Sequence, residues 1–138
     1  MNATFFLDTN VLLYSISGEA SEAAKKERAL ALLDRDDAGL SVQVLAEFYV
    51  QATRATRLHP VSHEVAAGLL RTWTRFAVQD NTVAIMNHAL QIRVATRFSY
   101  WDSAIIAAAC ALGCNELMTE DLSSGRVVEG VRIINPFR

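Results

Sequence analysis

The sequence predicts a single α/β domain, residues 1–138, built on a short central parallel sheet of about five strands. Three observations carry this. Short apolar segments alternate with longer ones whose apolar residues recur at helical spacing, the pattern of strands joined by crossover helices. The first apolar segment runs directly into Asp8-Thr9-Asn10, residues that start helices. At 138 residues, with 51% hydrophobic and 20% charged side chains, the chain is long enough for one core and too apolar for disorder.

In chain order, Thr4–Leu7 reads as a buried strand and Val11–Tyr14 as the apolar start of a helix. A second helix is expected over Ser21–Arg35 with Ala24, Leu30 and Leu33 inward. Asp36–Gly39 is a turn and Leu40–Val42 a second strand. Between Gln43 and Thr56 the spacing of Val44, Leu45, Phe48, Tyr49 and Ala52 is helical. Pro60 and Ser62 open a further helix with Val65, Ala66, Leu69, Leu70 and Trp73 on its apolar face. Ala77–Gln79 is a short third strand, and Asp80 or Asn81 caps a helix carrying Ile85, Ala89, Ile92 and Ala95. Ser99 caps another helix, which Gly113 ends. Glu116–Thr119 and Val131–Ile134 complete the strands. In such sheets ligands bind outside the carboxyl ends of the strands, at the point where strand order reverses.

Composition excludes several classes. A net charge of −2 gives no general attraction to nucleic acid, although eleven of the thirteen cations are Arg, the better partner for phosphate. The N-terminal segment lacks the basic flank of a secretory signal, and its apolar run stops at Asp8. The uncharged run after Asp102 is shorter than the roughly 20 residues that span a bilayer. A cytoplasmic protein with no membrane association is expected. Cys110 and Cys114 are placed on one helix face as small hydrophobes, since a zinc site needs more ligands nearby.

Four acids stand out. Asp8 directly follows the first strand, Asp121 follows the fourth, and Asp102 lies three residues after Ser99 in a capping-box pattern. Each of these three has a structural reading as a helix cap, stabilised by the helix dipole by about 0.3–1 kcal/mol. Glu47 does not, because it lies inside a helix between Leu45 and Phe48; its bland reading is an exposed helix-edge glutamate. Placed at the carboxyl edge of one sheet, the four would converge. Two carboxylates about 4 Å apart repel by roughly 4 kcal/mol at an effective dielectric near 20, and a hard divalent cation removes that cost. Oxygen donors without Cys or His point to Mg²⁺ or Mn²⁺, not Zn²⁺.

The segments FLDTNVLLY, SVQVLAEFY, YWDSAIIAAACALGC and LMTEDLSSG resemble the successive signature segments of PIN domains, especially those of VapC-like toxins of bacterial toxin–antitoxin pairs. The resemblance runs along essentially the whole chain. It implies a three-layer α/β/α sandwich and a Mg²⁺- or Mn²⁺-dependent endoribonuclease. Asp8, Glu47, Asp102 and Asp121 fall on the family's four acids, as metal-binding and catalytic residues. Asn10, Ser103 and Thr119 match polar positions near the site, and Glu120 offers a second acid beside Asp121. The resemblance also implies an RNA substrate, a homodimer and a small antitoxin that blocks the site.

Phosphate contacts are expected from Arg54 and Arg57, Arg93 and Arg97, and Arg126; the paired arginines also suit helix C-termini, where cations complement the dipole. Trp101, at a helix start, reads as a core residue or as a platform for a base. The competing functions are a PIN-like binding module that no longer cuts, and a PIN nuclease of RNA processing that is not a toxin. A phosphoryl-transfer enzyme with Asp8 as nucleophile fits poorly. Asn10 stands where haloacid-dehalogenase-like phosphatases carry a second Asp, and no Lys follows Leu117 as phosphoreceiver domains require.

Overall fold

The computed structural model describes residues 3–138. Its centre is β1 (Phe5–Leu7), flanked on one side by β2 (Ala38–Ser41) and β3 (Ala77–Gln79). On the other side lie β4 (Glu116–Met118), β6 (Val131–Ile134) and β5 (Val127–Val128), giving the order β3-β2-β1-β4-β6-β5. All neighbours pair in parallel except β5, which is antiparallel to β6. Phe5, Phe6 and Leu7 are fully buried, so the central strand is continuously apolar and not alternating, as a parallel strand covered on both faces must be. The two-residue β5 is too short to leave a periodic signal. It is joined to β6 by Glu129-Gly130, both at positive φ (48° and 85°), the backbone of a two-residue hairpin turn.

The chain leaves β1 into α1 (Thr9–Ser15), then passes a single 3₁₀ turn (Ala20–Glu22) into α2 (Ala23–Leu33). The inward face of α2 is Ala29, Leu32 and Leu33, while Ala24 and Leu30 are exposed. That rotation corrects the sequence expectation: packing against α1 selects the i, i+3, i+4 stripe nearest the helix end. Strand β2 begins earlier than expected and hands over at Ser41, whose hydroxyl accepts from Val44 N–H at 3.3 Å to cap α3 (Val42–Thr53). α4 (His63–Trp73) follows, capped by Ser62, with Ala66 and Trp73 buried and Val65 exposed.

α5 (Val83–Thr96) is capped by Thr82, which accepts from Ile85 N–H at 3.1 Å; Asp80 and Asn81 stay in the preceding loop, and Ala95 is exposed. Thr82 wins because it alone stands immediately before the first helical residue. α6 (Tyr100–Ala111) is capped by Ser99 and is buried from Ser103 to Ala109. Gly113, at φ 77°, turns the chain out of this helix. Cys114 therefore leaves the helix and does not share a face with Cys110, contrary to expectation; it packs instead against Gly39. No helix among the described residues is long and apolar enough to cross a membrane.

Right-handed crossovers put α1 to α4 on one face of the sheet, where α1 packs on α2 and α3 and α3 packs on α4. α6 covers the other face, touching β2, β4 and β6, and α5 packs against α6. Strand order reverses between β1, which leads to β2, and β4, which lies on its opposite side. The carboxyl ends of β1 and β4 therefore border the crevice where α/β sheets bind ligands.

Candidate active site at the switch point of the sheet

Asp8 is the residue at which β1 ends and α1 begins. Its N–H still belongs to the sheet, donating to Met118 O at 3.0 Å, while its side chain caps α1 by accepting from Thr9 N–H at 2.7 Å. Its second oxygen accepts from the Thr119 hydroxyl at 2.8 Å. The carboxylate is 5% exposed. Burial pushes its pKa from 3.8 up to about 6. The Thr119 and Thr9 bonds pull the other way, and the nearby Glu47 and Asp102 add to the rise.

Thr119 directly follows β4 and is fully buried. Besides donating to Asp8, its hydroxyl accepts from Asn10 Nδ2 at 3.3 Å and from Asp121 N–H at 3.1 Å. Asn10 Nδ2 also reaches Asp121 Oδ2 at 3.0 Å. Thus the turn after β4 is tied to the first turn of α1. Glu47, in the second turn of α3, accepts from the Thr9 hydroxyl at 3.0 Å and from Gln43 Nε2 at 2.8 Å. The same Gln43 amide donates to Trp101 O at 3.2 Å, joining α3 to the start of α6. Asp102 sits in the first turn of α6, its N–H donating to Ser99 Oγ at 3.1 Å. Burial raises its pKa above the usual value, the Ser99 side chain lowers it, and Asp121 and Glu47 push it up further.

One cleft of about 140 Å³ is lined by all four acids, Asp8, Glu47, Asp102 and Asp121, together with Thr9 and Asn10. Leu13, Gln51, Trp101 and Ile105 complete the lining. Glu120 is turned elsewhere. It forms an ion pair with Lys25 at 2.6 Å and accepts from Tyr14 OH at 2.6 Å, with Lys25 Nζ over the Tyr14 ring. Burial favours its neutral form, but these partners outweigh that and hold its carboxyl below the usual range. Of the two adjacent acids, Asp121 faces the cleft. Ser103 does not line the cleft; it is fully buried in α6, with no hydrogen-bond partner for its hydroxyl among the described residues.

None of the five arginines singled out from sequence lines this cleft. Arg54 borders an adjoining groove, Arg126 stacks on Phe98 at 4.8 Å, and Arg93 and Arg97 are exposed at the end of α5. Arg57 borders a separate hollow near His59. Sequence reasoning also missed Thr9 and Gln43 as partners of Glu47. The Gln43-x-x-x-Glu47 spacing is the signal that could have found one of them.

Among the described residues, no three Asp, Glu, His or Cys side chains are already grouped to hold an ion. The donor set nevertheless suits a hard divalent cation. It is all oxygen, its carboxylates carry raised proton affinity at two positions, and Mg²⁺ typically takes one or two carboxylates and fills the rest with water and phosphate.

A family model for the PIN domain matches residues 5–128. No curated protein matches the sequence. Among solved structures, a toxin–antitoxin complex from Klebsiella pneumoniae aligns with a TM-score of 0.71 at 19% identity, covering 97% of this chain and 98% of that one. VapC20 of Mycobacterium tuberculosis, a sarcin–ricin-loop-cleaving toxin, aligns at 0.67 with 23% identity over 94% of this chain and 99% of its own. FitAcB from Neisseria gonorrhoeae aligns at 0.66 with 21% identity, covering 97% and 99%. At these identities the structures speak for the fold, and the family model for membership: the chain belongs to the PIN-domain family.

Proposed function

We propose that the protein is a divalent-metal-dependent endoribonuclease using Mg²⁺ or Mn²⁺, and the toxin of a VapBC-like toxin–antitoxin pair. In this reading it acts in the cytoplasm as a homodimer and is silenced by a small antitoxin. The observation that carries it is the meeting of four carboxylates, from β1, α3, α6 and the turn after β4, in one cleft at the switch point. Its likeness in fold to toxins captured with their antitoxins supports the partner assignment.

In this scheme Asp8 and Asp102 would hold the ion directly, and Glu47 and Asp121 partly through water. When bound, a divalent ion supplies charge neutralisation at the phosphate and lowers the pKa of a ligated water. The chain's own groups do the positioning. Thr9 N–H and the Thr119 hydroxyl fix both oxygens of Asp8, and Asn10 orients Asp121. Glu47, held by Thr9 and Gln43 and set apart from the direct ligands, would be the carboxylate that takes a proton from an attacking water.

The test is mapping of RNA ends after induction in cells, with Asp102→Asn as the control. New ends at discrete sites that vanish with Asp102→Asn are expected. Identical ends from the two proteins, or none from the wild type, would overturn the reading.

A further inference from the structure

We propose that the groove beside the acidic cleft is a nucleotide subsite, in which the Trp101 indole stacks on an unpaired base and Arg54 meets a backbone phosphate. The inference rests on the nuclease reading and adds to it the form of the substrate: a single strand with its bases free.

Trp101 stands one residue before Asp102, yet it is 63% exposed, whereas α6 from Ser103 to Ala109 is buried. The helix does not use this indole for its core. The ring is nonetheless steadied, in edge contact with Tyr100 at 5.0 Å and 81°. An exposed, oriented aromatic next to a catalytic acid costs apolar surface in water and returns it when a base covers the ring. Stacking of this kind is how proteins hold single-stranded nucleic acid without reading its sequence.

The groove it borders holds about 590 Å³, within the size of small-ligand sites. Glu47, Gln51 and Trp101 line both this groove and the acidic cleft, so the two are continuous. A strand lying across the carboxylates and leaving on this side passes the indole. Val50 and Ala46 supply apolar wall, while Gln51 and Asn81 offer amides to base edges. Arg54, the residue closing α3, is exposed and pairs with no carboxylate among the described residues. An unpaired guanidinium beside an aromatic and two amides matches a nucleotide better than an apolar side chain of a protein partner.

The test uses the full-length protein and intrinsic fluorescence. Trp73, the other tryptophan, is 4% exposed and packed on Phe48, so a ligand-dependent signal comes from Trp101. Oligouridylate and oligoadenylate RNAs of about eight nucleotides are titrated in EDTA, which prevents metal-dependent turnover. Quenching is expected with wild type and not with Trp101→Phe. Read by the anisotropy of a fluorescein-labelled oligonucleotide, Trp101→Ala should weaken binding by about 5- to 100-fold, and Arg54→Ala should weaken it and flatten its salt dependence. An abasic backbone of the same length should not quench. Quenching that survives in Trp101→Phe, or affinity unchanged in Trp101→Ala, overturns the subsite. So does an indole signal that follows protein concentration and ignores RNA, which would give the groove to a second copy of the chain. Cleavage in Mn²⁺ is scored separately. Quenching without cleavage upholds the subsite and removes the nuclease reading, while cleavage indifferent to Trp101→Ala removes the subsite alone.

Discussion

Asp8→Asn should stabilise the metal-free protein while abolishing its proposed activity. Asp8 is almost fully buried and its carboxyl titrates at about 6, against 3.8 for an ordinary Asp. The folded protein keeps this proton up to about pH 6, whereas the unfolded chain releases it near 3.8. Stability from this group is therefore complete below about pH 4 and is lost as pH rises through about 6. At about 1.36 kcal/mol per pH unit, holding Asp8 ionised at pH 7 costs about 3 kcal/mol. Asparagine has no charge to desolvate and keeps the acceptor for Thr9 N–H. Its NH₂ replaces the oxygen that accepted from Thr119, whose hydroxyl already accepts from Asn10 and Asp121. Leaving that buried donor unpaired costs about 2 kcal/mol, so the net gain is about 1 kcal/mol. At roughly 4 °C per kcal/mol for a domain of this size, Asp8→Asn should melt about 4 °C above wild type in EDTA at pH 7. The gap should narrow towards pH 5, as the wild type regains its proton. Mg²⁺ should raise the wild-type midpoint and leave Asp8→Asn unmoved. A variant that melts at or below the wild-type temperature at pH 7 would refute the placement of a strained carboxylate at the end of β1.

Thr119→Val removes the donor that lowers the Asp8 pKa. The acidic limb of the cleavage pH profile should move up by about one pH unit, and an unmoved limb would show that Thr119 does not set the protonation of Asp8. Asp121→Asn should reduce cleavage by about 10- to 100-fold, while Glu120→Gln, which keeps one of the two oxygens that accept from Lys25 and Tyr14 and lies away from the cleft, should stay near wild type. Equal losses in both would contradict the division between a cleft-facing and an anchored acid. Gly39→Ala places a methyl 2.9 Å from Leu112 Cδ1 and 3.1 Å from both Ala3 Cβ and Cys114 Sγ. Denaturant unfolding should show a loss of about 1–3 kcal/mol, and an unchanged midpoint would refute the tight approach of β2 to the end of α6.

Five of the six strands were legible as apolar runs, and Asp8 and Asp121 as carboxylates where such a run stops, whereas the two-residue β5 left no signal. Asp8, Thr119 and Asp121 are placed by strand ends alone. Glu47 was legible for a different reason, since a charge inside an apolar helix needs an explanation that no cap supplies. Which of Glu120 and Asp121 enters the cleft was not legible, because adjacent side chains diverge and the deciding partner, Lys25, lies 95 residues away. The bond between Thr9 and Glu47 was hidden for the same reason, as it joins two elements whose relative rotation no periodicity records. The exposure of Trp101 depends on where the core stops along α6, and the burial of Cys114 on the turn at Gly113; both are tertiary facts.

The most direct test of the acidic cleft is RNA cleavage by the purified protein in Mg²⁺ or Mn²⁺, with EDTA and Asp102→Asn as the two controls. Cleavage that depends on the ion and disappears in both controls is the predicted result. Asp102→Asn protein that cuts RNA at the wild-type rate, or cutting that persists in EDTA, would contradict it.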